Sequence, residues 1–190
     1  MLMSQTLNEK NMYNPARLAA LIKEKAIEFG DFTLASGATA SYYLDLRRLT
    51  LDGEGANLIA AGFLDLLAPE MPTAVGGMAI GADPITASII TLAYQRGLEL
   101  RGFIVRKEPK GHGKGQQVEG PVSAGDRVVI VEDVVTSGGS SIRAIEAARA
   151  HGLQVDRVLA IVDRGSQTAT VFADAGVKFE ALFHVSDLIG

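Results

Sequence analysis

The residues that most constrain the fold of this chain are Val128-Val129-Ile130-Val131, an unbroken β-branched run that ends in Glu132-Asp133. A strand of this kind has no polar face to offer water. It reads as buried on both sides, which happens in parallel sheets covered by helices on each face. Around it, apolar repeats of helical and strand period alternate. A helix is expected from Asn14-Pro15 to Gly30, with Leu18, Leu21, Ile22, Lys25 and Phe29 on one face. Further helices are expected over 52–67, over 83–96 with Asp83-Pro84 as cap and first residue, and over 141–150 and 167–175. Strands are expected at 32–34, 42–46, 73–77, 101–105, 127–131, 157–162 and 180–184. This alternation predicts one α/β domain with a mostly parallel central sheet, residues 127–131 forming its central strand.

Composition narrows the function. The chain has 190 residues, 47% hydrophobic and 21% charged, enough for a single globule with a sizeable core. Its net charge of −4 argues against nucleic acid or an anionic membrane surface as partner, so any anion site has to be local. With no cysteine, disulfides, thiolate metal sites and cysteine nucleophiles are excluded, and a cytoplasmic location is expected. The first ten residues lack the pattern of a signal peptide, and no apolar run approaches the ~18 residues a membrane crossing needs.

The strand continues as Glu132-Asp133-Val134-Val135-Thr136-Ser137-Gly138-Gly139-Ser140, in which two acids precede a small-residue loop that opens a helix. Ligands sit at the carboxyl ends of strands in such sheets, and a Gly/Ser/Thr loop at a helix N-terminus aims backbone N–H groups at one point, suited to a phosphate monoester. Acids immediately before it can accept from sugar hydroxyls, so the segment describes a clamp for a ribose 5-phosphate. A P-loop is excluded: the sole Gly-Lys step, Gly113-Lys114, is followed by Gly115. The second concentration of chemistry is Arg106-Lys107-Glu108-Pro109-Lys110-Gly111-His112-Gly113-Lys114-Gly115, which gathers four of the eighteen Lys and Arg with three glycines. A cationic, glycine-rich segment suits a lid that orders on a polyanion, supplies positive charge to a departing pyrophosphate and keeps water from the sugar carbon.

The residues 128–140 resemble the phosphoribosyl pyrophosphate signature of the type I phosphoribosyltransferases. The order Arg-Lys-Glu-x-Lys-x-His-Gly at 106–113 resembles the catalytic loop of the orotate-specific members. The resemblance spans roughly residue 28 to the C-terminus and implies a type I phosphoribosyltransferase fold, with about residues 1–50 and the C-terminal end forming a hood over the base site of a single domain, 1–190. It implies that Glu132 and Asp133 hold the ribose hydroxyls, that Val134, Val135, Thr136, Ser137, Gly138, Gly139 and Ser140 bind the phosphate segment, and that Arg106, Lys107, Lys110 and His112 bind pyrophosphate. Lys107, Lys110, His112 and Asp133 are then the catalytic set, and part of the loop serves the neighbouring subunit of a homodimer. Arg164, after the next strand, is similar to the base-binding arginine, with Thr136 also on the orotate side. The implied activity is magnesium-dependent transfer of ribose 5-phosphate to orotate in pyrimidine (UMP) synthesis, with Mg2+ bridged mainly by substrate and no direct protein ligand. A transferase for another base, or a nucleotide-sensing regulator on the same fold, are the alternatives.

Two departures stand out. Many members carry lysine where this chain has Ala35, and some carry another within the segment matching 76–84, which here has none. Lys114 lies outside the pattern, Tyr42 and Tyr43 fit core or interface as well as ligand contact, and His151 and His184 are read as structural.

Overall fold

The computed structural model of the chain describes residues 12–33, 39–108 and 116–189. Six strands, β3 (Ala74–Met78), β4 (Arg101–Val105), β5 (Val118–Glu119), β6 (Arg127–Val135), β7 (Gln154–Asp163) and β8 (Lys178–His184), form one sheet in the order β5-β4-β3-β6-β7-β8. All neighbouring pairs are parallel except β4 and β5, which make an antiparallel edge. The acid-ended strand thus lies in the interior, between β3 and β7. A separate antiparallel hairpin, β1 (Ile27–Thr33) and β2 (Thr39–Leu44), precedes the sheet. The helices are α1 (Pro15–Leu21), α2 (Gly53–Leu67), α3 (Ala82–Gln95), α4 (Gly139–Ala150), α5 (Thr168–Asp174) and α6 (Val185–Ile189), with a single turn at Arg47–Thr50.

β6 shows why the sequence folds this way. Successive side chains point to opposite faces of a strand. Val129 and Val131 enter the core that α1, α2 and α3 cover, together with Leu18, Phe63 and Ile89, whereas Val128 and Ile130 enter a second core with Phe103, Ile145 and Phe172 under α4 and α5. Both faces are dry, which stabilises the strand by roughly 1.5–3 kcal/mol for each fully buried side chain. The glycines of β3 bring that strand close to its neighbours: a Cβ on Gly77 would run into the Val131 carbonyl oxygen. α6 returns to the N-terminal region, where Val185, Leu188 and Ile189 join the core lined by Ile22, Ala26 and Ile27.

Two local expectations are corrected. Asn14 caps α1 as expected, its Oδ1 accepting from the Arg17 N–H at 3.0 Å, but the α-helix ends at Leu21, a π-turn covers Ile22–Ala26, and the chain then becomes β1. Phe29, expected on the buried helical face, pairs with Tyr42 in the hairpin and is 71% exposed. Inter-strand pairing of Ile27 with Leu44 and of Glu28 with Tyr43 outweighs the helical period. Helix α3 starts at Ala82 rather than capping on Asp83, whose Oδ1 is buried without a hydrogen-bond partner. By contrast Asp52 caps α2, accepting from the Gly55 N–H at 3.0 Å. Among the described residues no helix is long and apolar enough to cross a membrane.

Candidate active site

Two adjoining cavities open at the carboxyl ends of β3, β6 and β7. The smaller, about 210 Å³, is enclosed by residues 134–141 and Glu132. The larger, about 520 Å³, shares Glu132, Val134, Thr136 and Ser140 with it and adds Asp133, Arg164, Lys107, the 78–81 turn after β3, and residues 43–47.

The small cavity is a loop-to-helix transition. Gly138, at the N-cap of α4, has φ +77°, a left-handed conformation that a side chain would strain, and it turns the chain from strand into the helix whose first residues, Gly139, Ser140 and Ser141, line the cavity. Among the residues expected to cradle a phosphate, Val134, Val135, Thr136, Ser137, Gly138, Gly139 and Ser140 all line this space.

Glu132 and Asp133 sit at the junction of the cavities. Glu132 is 7% exposed, its Oε2 3.4 Å from the Ser141 hydroxyl and its Oε1 accepting from the Asp133 N–H at 3.3 Å. Burial, and after it the neighbouring Asp133 charge, pushes the Glu132 carboxyl up to about 8. Asp133 Oδ1 accepts from the Val134 N–H at 2.8 Å, and the residue lines the larger cavity.

Arg164 is fixed from two directions. Its backbone N–H donates to the Val135 carbonyl at 2.8 Å, locking it beside the end of β6, and its Nε donates to the Tyr42 hydroxyl at 3.0 Å, with the guanidinium carbon 4.6 Å from the centre of the Tyr42 ring. The preceding Asp163 is otherwise committed: it accepts from the Gly165 N–H at 3.0 Å and the Thr168 hydroxyl at 2.9 Å and lies 3.3 Å from His184 Nδ1. Tyr42 is half-buried against the core and supports Arg164, whereas Tyr43 lines the larger cavity.

The basic segment borders two neighbouring spaces as it leaves β4. Lys107 lines both the larger cavity, with Asp133, and an adjacent space that it shares with Arg106, Asp83 and Ile104; Arg106 sits 3.1 Å from Glu119. Lys110, His112 and Lys114, like Ala35, lie outside the described residues.

Sequence reasoning missed two contributors, Arg47 and Ser141, and met Asp45 only as the end of a segment similar to the one that covers the pyrimidine in the family. Asp45 and Arg47, which follow the Tyr-Tyr pair as Asp-x-Arg, reach the larger cavity as an ion pair, Arg47 Nε to Asp45 Oδ1 at 2.8 Å. Arg47 lies just beyond the expected strand 42–46, at the start of the turn Arg47–Thr50. Ser141 supports Glu132 from the first turn of α4.

A strand ending in two acids, a phosphate-sized loop and a cation-lined cleft beside it define the phosphoribosyl-transfer class, and residues 63–184 match the family model described as "Phosphoribosyl transferase domain". The chain is 56% identical over 178 residues to the orotate phosphoribosyltransferase of Rhodopirellula baltica, covering 90% of this chain and 92% of that protein. It is similar in structure to Mycobacterium tuberculosis H37Rv orotate phosphoribosyltransferase, with TM-score 0.83, 35% identity, and coverage of 93% of this chain and 99% of that one. The same protein in complex with 5-phospho-alpha-D-ribosyl 1-diphosphate aligns at TM-score 0.79 and 32% identity, over 92% and 98% of the two chains. The chain belongs to the orotate phosphoribosyltransferase family. A likeness to the adenine phosphoribosyltransferase of Leishmania tarentolae, at 16% identity and TM-score 0.61, reflects the shared fold alone.

Proposed function

We propose that the chain transfers ribose 5-phosphate from phosphoribosyl pyrophosphate to orotate, giving orotidine 5'-monophosphate and pyrophosphate in pyrimidine synthesis. The observation that carries this is the common wall on which the loop at 136–140, the acids Glu132 and Asp133, and Arg164 follow one another, with Arg164 hydrogen-bonded to the end of the same strand. The names of the relatives support orotate as the base.

On this proposal the loop N–H groups and hydroxyls hold the 5-phosphate, and the acids accept from the ribose hydroxyls. The Arg164 guanidinium, held by Tyr42, meets the orotate carboxylate as a planar partner. The ring nitrogen of the orotate dianion attacks C1 of the ribose, the C1–oxygen bond to pyrophosphate breaks, and the electron pair leaves with pyrophosphate. No protein nucleophile is consumed; positioning and charge supply the rate. Lys107 faces the charge that develops on the leaving group, with Arg106, Lys110 and His112 as the remaining pyrophosphate ligands.

Magnesium fits as a companion of the diphosphate. The site offers hard carboxylate oxygens from Glu132 and Asp133, and among the described residues no group of three or more His, Cys, Asp or Glu is placed to hold a metal ion. When bound, the ion would neutralise part of the diphosphate charge. A homodimer, in which part of the basic loop completes the neighbouring site, and a cytoplasmic location belong to the same proposal.

The direct test is a spectrophotometric assay with phosphoribosyl pyrophosphate and magnesium, comparing orotate with adenine, hypoxanthine and uracil. Consumption of orotate alone is expected. Turnover of another base in its place, or of none, rejects the assignment.

A further inference from the structure

The larger cavity is unevenly supplied with charge. Its described lining holds three cations, Arg47, Lys107 and Arg164, against three acids, Asp45, Glu132 and Asp133. Residues 71–95, which include the whole turn from β3 into α3 on one side of the cleft, contain no Lys or Arg. A diphosphate brought against that turn has to find its cations on the facing walls. Arg164 is engaged at the base end by Tyr42, and Lys107 stands at the start of the basic segment. Arg47 remains, in the 43–47 segment of the same lining.

Its placement is built. The Asp45 N–H donates to the Ala26 carbonyl at 2.9 Å, tying the residue to the end of the π-turn. The Asp45 carboxylate accepts from Arg47 Nε at 2.8 Å, Arg47 Nη2 at 3.2 Å and the Arg47 backbone N–H at 3.2 Å. The tether uses one edge of the guanidinium, while the Arg47 side chain keeps 59% of its surface exposed and Asp45 only 19%. An arginine has five N–H donors in a rigid fork, so a second edge is left for an incoming oxyanion. Arg47 also shares the cavity lining with Asp133, whose charge reaches it. A surface ion pair whose only purpose is stability contributes little and has no need to line the cleft.

We infer that Arg47 is a further substrate-binding residue that holds the diphosphate of phosphoribosyl pyrophosphate and the pyrophosphate released from it, with Asp45 as its positioning residue. This rests on the transferase assignment above. The free edge of the Arg47 fork takes phosphate oxygens in the larger cavity, and Asp45 fixes the direction of that fork.

The experiment measures calorimetric binding of two probes, inorganic pyrophosphate and ribose 5-phosphate, to the full chain in magnesium buffer, for wild type, Arg47→Ala, Arg47→Gln and Asp45→Asn. Arg47→Ala and Arg47→Gln are expected to weaken pyrophosphate binding by about 10-fold or more, the size of a lost charge-assisted contact, and to leave ribose 5-phosphate within about 2-fold. In turnover the KM for phosphoribosyl pyrophosphate should rise more than that for orotate. Asp45→Asn should give a smaller loss on pyrophosphate alone, because the guanidinium survives without its tether. Unchanged pyrophosphate affinity in both Arg47 variants, or equal weakening of the two probes in both, overturns the inference. If wild type binds neither probe, it is the transferase assignment itself that fails.

Discussion

Glu132 combines two conditions that oppose ionisation, since its carboxyl is nearly enclosed at the end of β6 and the next residue is another acid. Burial is the larger, and together they raise the group from 4.5 to about 8. An acid whose pKa rises on folding holds its proton more tightly in the folded chain. It therefore contributes fully to stability below about 4.5, and this contribution is lost as the pH climbs to about 8. Glu132→Gln, which has no proton to lose, should escape that loss. The ligand-free melting temperature of wild type is expected to fall relative to that of Glu132→Gln between about pH 5 and about pH 8.5. A gap that stays constant over this range would show that Glu132 ionises without cost in the folded chain. Arg164 presents the opposite case, a permanent cation whose direction is set by Tyr42. Arg164→Lys keeps the charge and loses both the fork and the Nε bond. The KM for orotate should rise by about 10-fold, with a smaller change for phosphoribosyl pyrophosphate. A change confined to phosphoribosyl pyrophosphate would remove Arg164 from the base end.

The strand-to-helix turns set the precision of the site, and the closest packing among them is between the ends of β6 and β7. Gly165 lies so near the phosphate loop that a Cβ there would meet the Thr136 carbonyl oxygen and Thr168 Cγ2. Gly165→Ala has to push the loop backbone aside, because a carbonyl cannot rotate away as a side chain can. Ribose 5-phosphate binding should weaken several-fold, with a stability loss of about 1–3 kcal/mol; calorimetric titration and denaturant unfolding measure both, and unaltered binding would mean that the loop tolerates the shift. At this scale most of the fold was legible from sequence. β6, β7, α2 and α4 announce themselves by β-branched runs, by an Asp cap and by the Gly138 turn, all of which act locally. The first helix was over-extended because Phe29 falls on the helical period by chance, and its true partner, Tyr42, is supplied by another strand. β5 was missed because two residues carry no period and form a strand only through pairing with Ile104 and Val105. Of the site, Glu132, Asp133 and the loop were readable because they are contiguous. Arg47 was not, since nothing within its own neighbourhood says that a short helical turn begins there and lines a cleft built by strands farther along the chain.

For the whole molecule, the open question is which side chains of the basic segment serve their own cleft. Lys107 lines the cavity that holds Asp133 and borders the adjacent space as well, whereas Arg106 is absent from the first lining and lies beside Glu119 in the second. Both border the adjacent space and only Lys107 also reaches the cavity of Asp133, so Arg106 is the one of the two cations suited to another site. In the proposed homodimer, Lys107 works at home and Arg106 is the candidate to reach the partner. An Arg106→Ala chain then keeps an intact acid pair, and an Asp133→Ala chain keeps an intact Arg106. Each homodimer should be nearly inactive. A heterodimer contains one site with both defects and one with neither, so random association of equal amounts should restore about a quarter of wild-type activity, half the dimers being mixed and each mixed dimer having one good site of two. The chains have to be co-expressed with different tags and the mixed species isolated, where activity should approach half that of wild type. If Arg106 instead serves its own cleft, every site in the mixed dimer carries one defect, and the isolated heterodimer will be as inactive as its parents.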